Sequence, residues 1–154
     1  MIASTHLVAG AFSGLLVQKL LLENPNVIKG IGAGFCAGFA SHLILDAIPH
    51  QDYGIEGYAL GGILFVEVLA VFYLAFYSVH KAFTNWIIFF GMVGAAFPDL
   101  LGMVYEHGFR LGWLYNVDRL LHVFHSNPNA VYKIGILSQL ILAIFMSLGA
   151  RVRK

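Results

Sequence analysis

A chain of 154 residues that is 59% hydrophobic and 11% charged, with mean hydropathy +0.79, falls far below the roughly 25% charge of an ordinary soluble domain. That composition excludes a surface made for water. A formal net charge of +1 and a single cysteine, Cys36, likewise exclude a global basic field for nucleic acid and an intrachain disulfide. The expectation is one all-α domain over residues 1–154, an integral membrane bundle of about five transmembrane helices plus a short interfacial helix.

In chain order, the first span runs from about Thr5 to Leu22 and ends at Glu23-Asn24-Pro25-Asn26, strong turn chemistry. The second, about Val27 to Ile48, carries Gly30, Gly32, Gly34 and Gly38 with Ala33, Ala37 and Ala40, small residues that let another helix approach closely, so it is expected at the centre. The third, about Tyr58 to Val79, is large and aromatic; the fourth, about Asn85 to Tyr105, has Pro98 to bend or end its last turns. From about Leu111 to Ser126 apolar residues alternate with Asn116, Asp118, Arg119, His122 and His125, the pattern of an interfacial or re-entrant helix. A fifth span runs from about Ala130 to Ala150.

Orientation follows the positive residues, because cytoplasmic loops collect them. Lys19 and Lys29 flank the first turn, Lys81 lies in the third, and Arg151, Arg153 and Lys154 close the chain. These belong inside, which places the N-terminus outside an inner, cytoplasmic membrane and the C-terminus in the cytoplasm. The second turn, with Asp52 and Glu56 but no lysine or arginine, lies outside. So does the Tyr105 to Asn129 connection, against its Arg110 and Arg119. Met1-Ile2-Ala3-Ser4 offers no positive region for a cleavable signal peptide.

Ionisable side chains within spans are costly and usually functional. On this topology His6, the pair His42 and Asp46, Asp99, and the pair His122 and His125 all fall toward the outer side, with His50 and Asp52 at the outer end of the second span. His42 and Asp46 stand four apart and project from one helix face, where both can hold one ion. His122 and His125, three apart, share a face, with Asp118 one turn earlier as a partner for an imidazole. Imidazole with carboxylate suits zinc first, then manganese, iron or nickel. The bland alternatives are an interfacial anchor for His6, an internal ion pair for His42 and Asp46, and a helix cap for Asp99.

The ordered set Thr5-His6, His42-x-x-x-Asp46, Pro98-Asp99 and His125-Ser126 resembles the predicted membrane-bound metal-dependent hydrolases of bacteria and archaea, a family with LexA-regulated members. Its first two elements are more distantly similar to zinc-dependent phospholipase C. Where that membrane family shows Pro-Asp-x-Asp-His, this chain reads Pro98-Asp99-Leu100-Leu101-Gly102. The resemblance implies that His6, His42, Asp46, Asp99 and His125 ligate a divalent metal, zinc before manganese or iron, with His50 and His122 as further ligands or acid–base groups. It implies metal-assisted hydrolysis of a phosphoester, on a lipid or lipid-linked substrate at the outer leaflet, with Asp52 as a further acid–base group and Arg119 neutralising phosphate.

A competing class is ion or proton transport or binding, using His42, Asp46 and Glu67 as a path through the bilayer. A haem-binding subunit with two axial histidines and a purely structural subunit are the remaining alternatives.

Overall fold

The computed structural model describes residues 3–20, 26–50, 57–77, 82–107, 112–121 and 135–149. The regular structure in them is helical: α1 (Ala3–Leu20), α2 (Val27–Asp46), α3 (Gly57–Tyr77), α4 (Ala82–His107), α5 (Gly112–Leu121) and α6 (Ile136–Gly149). Local chemistry sets the boundaries of α2. The Asn26 side chain accepts from Ile28 N at 3.1 Å and Lys29 N at 3.3 Å, capping donors that the first turn cannot satisfy itself. At the other end Ala47 N donates to Leu43 O and Ile48 N to Leu45 O, before Pro49, which has no N–H to carry the helix on.

Three helices form the packed centre. Alanine-sized and smaller residues meet at a four-residue step along α2 and α4, which run parallel. A Cβ built on Gly34 would lie 2.7 Å from the Ile87 carbonyl oxygen, and one on Gly38 would overlap the backbone of Gly91. One step on, His42 meets the Ala95 carbonyl. The pairs 34 with 87, 38 with 91 and 42 with 95 advance together, so only glycine permits the approach that brings His42 to that carbonyl. α1 runs antiparallel against the same stripe, Gly14 at Ile87 and Gly10 at Gly91. Leu7, Val8, Ala11 and Leu15 of α1 then fill the core with Ile88, Met92 and Ala143.

Two expectations are corrected here. The central helix is α1, not α2: α1 packs against α2, α3, α4 and α6, and every residue from Ser4 to Ala11 is buried. α2 packs mainly on α1 and α4 and leaves Ile28, Cys36 and Ile44 exposed. Small residues mark where two helices touch, not how many neighbours a helix has. Nor does Pro98 end α4, which continues through it to His107; the proline ring is fully buried, so tertiary packing offsets the lost backbone bond.

Of the five expected spans, two are long and apolar enough to cross a membrane among the described residues, Ile28–Asp46 and Trp86–Tyr105. Among the described residues α3 and α6 carry shorter apolar stretches, Tyr58–Ala70 and Ile136–Met146. α1 has 18 residues and carries Ser4, Thr5, His6, Gln18 and Lys19. α5 packs against α4, and Trp113, Asn116, Arg119 and Leu120 are exposed on it.

Candidate metal centre

The first turns of α1, the last turns of α2 and the second half of α4 meet at one end of the bundle. The four-residue step that places glycines along the α2–α4 seam carries straight on into chemistry: Gly34, Gly38, His42 and Asp46 on α2, with Ile87, Gly91, Ala95 and Asp99 on α4. The close approach of the backbones thus lets the side chains at the end of both ladders converge.

His6, His42 and Asp46 are buried, each no more than 2% exposed. Asp46 bridges the Nε2 atoms of the two rings, Oδ1 3.3 Å from His6 Nε2 and Oδ2 3.1 Å from His42 Nε2. Asp99 Oδ1 stands 3.9 Å from the same His42 nitrogen. The rings of His6 and His42 stack, with centroids 4.2 Å apart and planes at 27°.

The Ala95 carbonyl decides what His42 can do. It is 2.7 Å from His42 Nδ1 and can only accept, so Nδ1 carries the proton and Nε2 of the neutral ring holds a lone pair. That lone pair faces carboxylate oxygens, an arrangement that calls for a cation between them, either a proton or a metal ion. Separations of 3.1 and 3.3 Å are those of an N–H···O bond and equally of two neighbouring ligands on one ion. A tetrahedral zinc with bonds of about 2.05 Å has ligand atoms about 3.3 Å apart; Asp46 stands 3.3 Å from His6 and 3.1 Å from His42 through different oxygens, and Asp99 stands 3.9 Å from His42. His6, His42 and Asp99 each place one ligand atom within 4.8 Å of the others. One divalent ion also balances the charges of Asp46 and Asp99, whereas two protonated rings stacked face to face repel.

Access is one-sided. Asp99 has a 48% exposed side chain, and beside it on α4 Phe97, Leu100 and Met103 are exposed, so the open edge of the cluster borders apolar surface.

Of the other residues singled out, His50 is buried after α2 and its Nδ1–H donates to Ile48 O at 2.6 Å, which leaves Nε2 as its basic nitrogen. Arg119 is exposed on α5. Asp52, His122 and His125 lie outside the described residues. The reading of Asp99 as the cap of a new helix fails because α4 is continuous through it.

Supporting groups come from α3 and α6, and of these Glu67 alone is among the residues singled out from the sequence. Glu67 of α3 accepts from Ser4 N at 3.2 Å and Ser4 Oγ at 3.1 Å, and the Thr5 hydroxyl donates to the Gln139 carbonyl at 3.3 Å. Glu67 and Gln139 are polar residues in otherwise apolar helices, the one signal that marks them. Comparison with protein-family models, with curated proteins and with solved structures finds no match.

Proposed function

We propose that the chain is a membrane-embedded, metal-dependent hydrolase of about five spans that cleaves a phosphoester of a lipid or lipid-linked substrate at the outer leaflet. The observation that carries this reading is the His42 imidazole, locked by Ala95 with its lone pair toward Asp46 and Asp99. His6, His42, Asp46 and Asp99 hold the ion, zinc before manganese or iron, and His125 is the further ligand that the family resemblance implies. When bound, the ion supplies Lewis acidity toward a phosphoryl oxygen and toward water.

The three buried ligands fix the position and the half-exposed Asp99 leaves one side open, as a catalytic rather than a purely structural site requires. In the reaction a water oxygen adds to phosphorus while the ester P–O bond breaks. One proton passes from the water to a base, His50, Asp52 or His122, and one reaches the departing oxygen. In this reading Arg119, exposed on α5, neutralises phosphate from the interface. The apolar residues around Asp99 support a substrate whose chains stay in the bilayer while its headgroup reaches the ligands. With the N-terminus outside, the end of the bundle where α1 starts and α2 ends lies at the outer leaflet.

Transport through His42, Asp46 and Glu67 has less support, because Glu67 is engaged with the start of α1. Elemental analysis of detergent-purified protein tests the proposal directly. Stoichiometric zinc or manganese in the wild type, lost in both His42→Ala and Asp46→Ala, is the expected result and leads to assays on phospholipid and other phosphoester vesicles. A folded, freshly purified wild type without metal would sink it.

A further inference from the structure

We propose that Glu67 is the positioning residue of this centre: from α3 it holds the first turn of α1 and so sets where His6 presents its imidazole to Asp46. The proposal rests on the metal-centre reading.

Ser4 N–H is one of the first-turn donors that a helix cannot satisfy internally. Glu67 Oε2 accepts from it at 3.2 Å, and Glu67 Oε1 accepts from the Ser4 hydroxyl at 3.1 Å. A carboxylate there also meets the positive end of the α1 dipole. The clamp therefore uses both oxygens, across 63 residues of sequence, two positions before His6.

His6 needs such a clamp more than His42 does. A ligand imidazole is usually aimed by a hydrogen bond at its second nitrogen, and His42 has one in the Ala95 carbonyl. His6 Nδ1 is buried and has no hydrogen-bond partner among the described residues. Apart from the stacked His42 ring and Asp46 itself, its aim is inherited from the backbone of α1. Two ties hold that backbone at adjacent residues, Glu67 on Ser4 and the Gln139 carbonyl on Thr5. Of the two partners reaching α1 from other helices, Glu67 acts through its side chain and Gln139 through its backbone carbonyl, so only the Glu67 tie can be removed from outside α1.

Cobalt(II) titration of the full-length protein in detergent, followed by its visible ligand-field absorption, reads the site and not merely the fold. We expect wild type to show a cobalt band. Glu67→Ala weakens cobalt binding about 10-fold or more and alters the band. Glu67→Gln keeps one amide oxygen for Ser4 N–H and falls between the two, and Ser4→Ala, which loses only the hydroxyl bond, changes least in the same direction. Should Glu67→Ala not fold, the Gln and Ser4 variants decide. Lowered melting temperatures with unchanged cobalt affinity and band overturn the positioning role and leave the metal centre standing. No cobalt band in folded wild type overturns both.

Discussion

The α2–α4 seam and the outward faces of α3 and α6 use opposite residue types. Along the seam, glycine and alanine bring two backbones into contact, and at its end His42 and Asp46 are polar and buried. The bulky outward residues of α3 and α6 include Phe65, Val66, Leu69, Leu137, Ile144 and Phe145, all more than half exposed. In a seam where backbone meets backbone no atom can yield, so geometry is fixed and ligands can be held to a few tenths of an ångström. A face covered by bulky flexible side chains tolerates exchange of one for another, which is what a lipid-facing surface requires.

The contrast is broken most severely at Gly38. Gly38→Leu has no space beside the Gly91 backbone, and the expected outcome is loss of folded monomer in size-exclusion chromatography. Gly38→Ala should cost about 1–3 kcal/mol or more, the range for overpacking. Next in size is metal linkage. Zinc at about 100 times its Kd should stabilise wild type by about 2.7 kcal/mol, seen as a raised melting temperature and absent in Asp46→Asn. Because the imidazoles must be neutral to bind, protons compete with the ion, and that gain should shrink as the pH falls. An equal gain in Asp46→Asn would place the zinc elsewhere.

Thr5→Val removes the buried bond to the Gln139 carbonyl at a cost of about 1 kcal/mol, measured by denaturation in a fixed detergent. The smallest effect belongs to the outer face: Phe145→Ala on exposed α6 should stay within about 0.5 kcal/mol. If Phe145→Ala melts as low as Gly38→Ala, the distinction between rigid seam and tolerant face is lost.

Much of the helix order was legible because apolar runs and turn residues act locally. Asn24-Pro25-Asn26 marks the α1–α2 turn, and Asn26 does cap α2. His42 and Asp46 were recognisable as one-face partners from their spacing alone, and they do converge. What spacing did not reveal is that the His-x-x-x-Asp element prolongs the Gly34, Gly38 ladder, a pattern present in the sequence once the step of four is followed through both classes of residue. The centrality of α1 was hidden because its polar first turn reads as an end exposed to water. Only partners on α2, α3 and α6 make Ser4, Thr5 and His6 tolerable inside.

The sequence by itself determined the helical class, the excess of apolar surface and the inventory of costly polar groups, since each follows from composition and from periodicity within about 20 neighbouring residues. Tertiary structure alone decided that Asp46 would bridge His6 and His42, that Ala95 would lend a carbonyl to fix a tautomer, and that Glu67 would reach back to Ser4. Those contacts join residues 40, 53 and 63 positions apart, a distance across which no local periodicity acts and only the packing of whole helices chooses the pairs.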